Sequence, residues 1–271
     1  MTEGSDMETV VVSGSFDDMR ARDIRFLQEA SRYGCLHALV WGDDVVKGQT
    51  KFPEEERMYM MDAIRYVDRA TLVTELADKD GLPDAVQADM WVVDERDDSL
   101  QRRHFCDVHN IAYRVLAADD VRGFPIGETA DGGANNKKVI VTGCFDWFHS
   151  GHIRFFEEVS ELGDLYVVVG HDANVRLLKG EHHPMFGEDE RRYVVQSVRF
   201  VKQGIISSGD GWMDAAPEIA VIKPDIYAVN EDGDKLEKRV FCEEHDLEYV
   251  VLKRAPKEGL PRRASTVLRG F

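Results

Sequence analysis

The run Val11-Val12-Ser13-Gly14-Ser15-Phe16-Asp17 returns in pattern as Ile140-Val141-Thr142-Gly143-Cys144-Phe145-Asp146, and this constrains the fold more than any other feature of the chain. The two runs are offset by 129 positions (140 minus 11). At the same offset Ile24-Arg25-Phe26 answers Ile153-Arg154-Phe155. Phe52 to Arg57 answers Phe186 to Arg191 at an offset of 134, and Phe105 to His109 answers Phe241 to His245 at 136. Similarity that drifts only by short loop insertions reads as duplication of a whole domain. With 271 residues the chain has room for two domains of ordinary size. Residues 1–122 form the first copy and 138–271 the second. The segment 123–137 between them, with Pro125, Gly127, Gly132, Gly133, Asn135 and Asn136 and little periodicity, reads as a linker.

Each copy opens with β-branched residues, turns at a glycine, enters an amphipathic stretch and returns to an apolar run such as Leu165-Tyr166-Val167-Val168-Val169, which is a βαβ pattern. Further strands are expected over 200–206, 225–229 and 247–252, with helices over 188–199 and 235–245. Near-continuous apolar strands alternating with helices predict an α/β class with a parallel sheet covered on both faces in each copy.

Asp and Glu number 51 against 34 Lys and Arg, a formal charge of -17 that repels polynucleotides and anionic membrane surfaces. No nucleic-acid partner is expected, and an anionic substrate needs a locally basic pocket. The cysteines Cys35, Cys106, Cys144 and Cys242 form no CxxC pair, so reduced thiols in a cytoplasmic protein are expected rather than a zinc site or disulfide framework. Met1 to Glu8 lacks the apolar region of a secretory signal, and no apolar run approaches the roughly 20 residues of a membrane span, so neither export nor membrane insertion is expected.

The loop Gly143 to His152 lies where an open parallel sheet binds ligands, after its first strand. Gly143 lets the backbone approach a phosphate, and a helix starting near Gly151 directs free amides at the same point. His149 and His152, three apart, can both donate to phosphate oxygens. The segment His149-Ser150-Gly151-His152 matches in full the HxGH signature of the cytidylyltransferase-like nucleotidyltransferases, and the second copy resembles that family throughout.

The resemblance implies two Rossmann-like nucleotidyltransferase domains, the second catalytic. It also implies transfer of a nucleotidyl group from a nucleoside triphosphate to a phosphorylated small molecule, with release of pyrophosphate. His149, His152 and Lys179 are then the catalytic residues. Gly143, Cys144, Phe145, Gly151, Arg191, Asn230, Asp232, Arg263, Ser265 and Thr266 are the nucleotide-binding set, with Ser265 and Thr266 holding the β- and γ-phosphates at a helix start. Where many cytidylyltransferases carry Arg-Thr-x-Gly, this chain has Leu260-Pro261-Arg262-Arg263-Ala264, which leaves open whether Arg262 or Arg263 contacts phosphate. Asp146, Arg176 and Trp212 are candidates for the acceptor side, Asp146 alternatively organising the loop or an Mg²⁺-bound triphosphate. Mg²⁺ is expected to arrive mainly on the triphosphate. CTP with a small phosphorylated alcohol or amine alcohol leads. The run His171 to Gly180 also resembles heptose-phosphate adenylyltransferases, so ATP with a sugar phosphate is the alternative. A nucleotide-binding regulator is the non-enzymatic one, although such a protein is expected to lack His149 or Lys179.

The first copy reads Arg20-Ala21-Arg22-Asp23 where the second has the two histidines, and Val115 to Asp120 carries no Ser-Thr motif. Lys47-Gly48 and Arg57 remain as partial echoes. The first copy is therefore expected to fold alike without catalysing. It either stands in for a partner subunit in an intramolecular pseudo-dimer or senses a ligand, with Arg20 and Arg22 free to bind an anion.

Overall fold

A computed structural model describes residues 7–48, 50–127 and 137–268, the side chain of Thr266 excepted. The chain divides into two compact units, Met1–Gly123 and Phe124–Phe271. The unit boundary thus falls at the start of the expected linker, of which 128–136 lie outside the described residues. Phe124 belongs to the second unit because its ring lies 5.9 Å from that of Tyr193 and its carbonyl accepts from Arg192.

The first unit runs β1 (Thr9–Gly14), α1 (Ala21–Ala30), β2 (Cys35–Trp41), α2 (Asp43–Val46), α3 (Glu54–Asp62), β3 (Arg69–Val73), β4 (Met90–Asp94), α4 (Leu100–His109) and β5 (Ala112–Leu116). The second runs β6 (Lys138–Gly143), α5 (Ser150–Ser160), β7 (Asp164–Val169), α6 (Asp172–Lys179), α7 (Glu188–Gln196), β8 (Val201–Ile206), α8 (Ala216–Ile222), β9 (Ile226–Asn230), α9 (Leu236–Glu244), β10 (Glu248–Leu252) and α10 (Ser265–Leu268). The sheets are five-stranded, in the orders β3-β2-β1-β4-β5 and β10-β9-β6-β7-β8, with every recorded pairing parallel. Counting strands within each unit, both follow the one order third, second, first, fourth, fifth.

Burial explains the class. Val10, Val11 and Val12 are wholly buried, as are Val139, Ile140 and Val141. Successive strand residues face opposite sides, so these runs are stable only in sheets covered on both faces. Each unit is α/β and Rossmann-like. The helices end where the sequence supplies caps: the Ser99 hydroxyl accepts from Arg102 N–H at the start of α4, and Asn110 closes it in the left-handed conformation. Glu188, Asp189 and Glu190 place negative charge in the first turn of α7, where the helix dipole favours it.

The chain order reverses between the first and fourth strand of each sheet, which is the topological switch point. In the second unit β6 pairs with β9 at only Val139–Ile226 and Ile140–Tyr227. Beyond those rungs the carboxyl ends part, leaving a crevice between the loops that follow the two strands.

Candidate active site

The crevice is a cavity of about 190 Å³ whose walls include Thr142 to Asp146, His149, Gly151 and His152 from the β6–α5 side, and Val229, Asn230, Asp232 and Gly233 from β9. Lys179, Lys238, Arg254 and Ser265 bring the cations and a hydroxyl. The loop is shaped by Gly143: a Cβ there would stand 2.7 Å from Phe145 Cζ, because the Phe145 ring folds back over the strand end. Phe145 itself has φ of 51°, an unusual backbone for a bulky residue, matched by Phe16 at 47° in the first unit.

His149 is the N-cap of α5. Its Nδ1 accepts the Gly151 N–H at 3.1 Å, which puts the ring proton on Nε2. That Nε2–H is buried with no hydrogen-bond partner among the described residues, and the same is true of His152 Nδ1. Gly151 is needed for this arrangement, since a Cβ would come within 3.0 Å of the His149 ring. The rings of His149 and His152 stack at 3.9 Å, and Phe148 covers the far face of the pair, 5.3 Å from His152. Burial, followed by Arg254 and Arg263, pushes His149 down to about 3. Burial, followed by His149, Arg254 and Lys179, holds His152 well below the ordinary imidazole value. At neutral pH both rings are therefore uncharged. Each leaves a buried polar atom without a partner, a costly state that an incoming phosphate oxygen would relieve at the donating His149 Nε2–H.

Of the other expected residues, Lys179, Asn230, Asp232 and Ser265 reach the crevice. The Ser265 hydroxyl donates to the Trp147 carbonyl at 3.1 Å. Arg263 contributes its carbonyl, which accepts from Arg254, and its charge acts on His149. The side chain of Thr266 lies outside the described atoms.

Three residues are placed differently from expectation. Arg191 does not line the crevice: it is 1% exposed and donates to the carbonyls of Phe186, Cys144 and Gly170 and to Asp172. Arg57 makes the same set in the first unit, to Phe52, Ser15 and Trp41 carbonyls and Asp43. An arginine kept with identical partners where the histidines are gone pins loops together. Arg176 sits at a separate concavity with His171, Asp172 and Glu188, and Trp212 is exposed beneath the Lys235 ammonium, so neither meets the histidines. Asp146 does reach the crevice, but one carboxylate oxygen accepts the Met185 and Phe186 amides, as Asp17 accepts those of Lys51 and Phe52. The loop-organising alternative fits it.

Sequence reasoning missed Arg254 and Lys238. Arg254 pairs with Asp232 and lies close enough to depress both histidines. No motif marks it, because it follows the edge strand β10 and reaches the crevice only through the fold. Lys238 carried a signal that went unread: Arg102 occupies its position in the first copy at the offset of 136.

The corresponding cleft of the first unit has not collapsed, at about 210 Å³. Its charges are rewired. Arg22, in the place of Gly151, pairs with Asp94 at the tip of β4, and Arg96 pairs with both Asp94 and Asp23. Burial works against the Asp94 charge, yet Arg22 and Arg96 hold its carboxyl below the ordinary value. The Arg20 guanidinium is engaged by Asp18, and its backbone N–H donates to the Asp23 carboxylate at 2.9 Å. The arginines expected to receive an anion are thus already neutralised by neighbouring carboxylates.

No helix among the described residues is long and apolar enough to cross a membrane, and no group of three or more His, Cys, Asp or Glu side chains among them is placed to hold a metal ion. Residues 140–254 match the family model described as Cytidylyltransferase-like. The chain is 36% identical over 119 residues to the FAD synthase of Aciduliprofundum boonei, covering 43% of this chain and 76% of that protein. It is 40% identical over 97 residues to the FAD synthase of Ferroglobus placidus, covering 35% of this chain and 60% of that one. With the bifunctional protein HldE of Pelobacter propionicus it shares 37% identity over 101 residues, 36% of this chain but only 20% of that protein. A crystal structure of the lipopolysaccharide core biosynthesis protein from Thermoplasma volcanium superimposes with a TM-score of 0.39 at 24% identity, covering 46% of this chain and 100% of that one. The stacked histidines at the switch point and the match over 140–254 together make this chain, through its second unit, a member of the cytidylyltransferase-like family of nucleotidyltransferases.

Proposed function

We propose that the second unit transfers a nucleotidyl group from a nucleoside triphosphate to the phosphate of a small phosphorylated acceptor. An acceptor phosphate oxygen attacks the α-phosphorus, a new P–O–P bond forms, and the α–β bond breaks with its electron pair leaving on pyrophosphate. The nucleophile is already an anion at neutral pH, so no general base is required. Positioning and electrostatic stabilisation carry the reaction. His149 Nε2–H donates to an α-phosphate oxygen, with His152 stacked beside it. Arg254 and Lys179 balance the triphosphate charge. Mg²⁺ comes bound to the triphosphate and supplies charge neutralisation there; the Asp146 carboxylate, engaged by two amides, serves the loop rather than the ion. The observation that carries this assignment is the pair of buried imidazoles, neutral and short of partners, in a cavity also lined by Lys179, Lys238 and Arg254.

The donor base has two supported candidates. The motif resemblance favours CTP and a small phosphorylated alcohol or amine alcohol. The matches to FAD synthases, whose product contains an adenylyl group, favour ATP, and with it a sugar phosphate or another phosphorylated acceptor. Pyrophosphate release measured with Mg²⁺ and each of the four nucleoside triphosphates, over a panel of phosphorylated metabolites, decides between them. Absence of turnover with every triphosphate, from folded protein, would overturn the assignment.

A further inference from the structure

The crevice contains a third cation, beside Lys179 and Arg254, whose setting the histidines do not explain. Lys238, in the first turn of α9, is 7% exposed and lines the cavity beside Asn230 and Gly233. Its Nζ donates to Thr142 Oγ1 at 3.2 Å, and that hydroxyl shares a hydrogen bond of 2.8 Å with Tyr227 OH. Among the described residues this is the ammonium's one hydrogen bond, the Tyr227 ring centroid lies 5.6 Å from it, and no carboxylate lies within ion-pair distance. A buried ammonium with a single neutral acceptor is expensive unless a counter-charge arrives.

The first unit shows what a purely structural cation does at this position. Arg102, equally buried, donates Nε to Asp80 at 2.9 Å and another nitrogen to the Lys79 carbonyl. Its charge is answered within the protein. That of Lys238 is answered by no such pair, and burial pushes the amine below its ordinary value.

The carboxylates nearest in effect to Lys238 are already engaged. The charges that act on the histidines are those of Arg254, Arg263 and Lys179. Those that act on Lys238 at neutral pH are Asp214, Lys235 and Asp232. Asp214 is engaged by the Ser207 hydroxyl and Asp232 by Arg254, so neither closes on the amine.

We propose that Lys238, seated on Thr142, is the ligand for the phosphate group of the acceptor, holding its non-attacking oxygens while the remaining one faces the α-phosphorus. This rests on the nucleotidyl-transfer assignment and deepens it: the acceptor is a phosphate monoester, recognised by a buried point charge rather than by a surface arginine.

The test is calorimetric titration of inorganic phosphate and of glycerol 3-phosphate into the full chain already saturated with a non-hydrolysable nucleoside triphosphate analogue and Mg²⁺. Lys238→Met should weaken phosphate binding at least tenfold, Lys238→Arg should restore it to within a few-fold of the wild type, and analogue binding should change less than threefold in both. Thr142→Val, which removes the seat and keeps the charge, should give an intermediate loss, and it serves if Lys238→Met fails to fold. No phosphate binding by the wild type, equal binding by Lys238→Met, or an equal loss of analogue affinity would each overturn the proposal. Phosphate binding that depends on Lys238 in a protein that binds no triphosphate would instead leave the subsite standing and remove the nucleotidyl-transfer assignment.

Discussion

The two imidazoles set the behaviour of the site. Because His149 and His152 are held neutral by burial, they act as oriented dipoles, and removing one should cost rate without unfolding the domain. His149→Ala, which deletes the donating Nε2–H, is expected to lower turnover by about 10²–10³-fold, the usual cost of deleting one oxyanion-type donor, with an unchanged circular dichroism spectrum. The same burial predicts a pH dependence of stability. In the unfolded chain these rings titrate near the ordinary value of 6.5, whereas folded His149 titrates at about 3 and His152 well below 6.5. Below 6.5 the unfolded state binds the extra protons, so the stabilising contribution is fully present above that pH and lost as it falls. Denaturant melts of the nucleotide-free protein should lose about 1.4 kcal/mol per pH unit per histidine between pH 6.5 and the folded values. Replacing His152 by Asn should reduce that slope, and an unchanged slope would show that the rings are not held neutral.

Among the elements, the loops on which the site stands depend on buried arginines. Arg191 ties β6, β7 and the approach to α7 through three carbonyls and Asp172, and Arg57 repeats the pattern in the first unit. Arg191→Met strands those carbonyls and is expected to cost about 3 kcal/mol or more by thermal or chemical denaturation. Any loss of activity should follow from misplaced Cys144 and Phe145 backbone. A variant as stable as the wild type but unable to bind triphosphate would return Arg191 to the phosphate-contacting set. The repeated motif Phe-x-x-x-x-Arg was legible in the sequence, but its purpose was not: a guanidinium that holds carbonyls and one that holds phosphate look alike until the burial is known.

For the molecule as a whole, every residue assigned to chemistry lies between Thr142 and Ser265, inside the second unit. An excised 124–271 fragment, if folded, is expected to bind the triphosphate with an affinity close to that of the full chain. The proposed role of the first unit as an internal stand-in for a partner subunit predicts that this fragment self-associates or loses stability, as read by sedimentation and thermal denaturation. A soluble, monomeric and fully active fragment would end that proposal. The first unit itself should not gain nucleotide binding from restoration of one histidine, because Arg22 and Arg96 are already neutralised by Asp94 and Asp23 across its cleft.

What the sequence determined by itself was the architecture and the location of the candidate site. Buried runs such as Val139-Ile140-Val141 admit only a sheet covered on both faces, and a glycine-ended strand leading to His149 and His152 places a polar loop at its carboxyl end. Those are local signals, set by period and by backbone freedom. What only the tertiary structure decided was which cations serve the crevice. Arg191 left the set, Arg254 and Lys238 entered it, and Arg20 and Arg22 were taken up by Asp18 and Asp94. Charge is legible in a sequence, but whether a charge is neutralised depends on partners as much as 72 positions away, as between Arg22 and Asp94, and only packing brings them together.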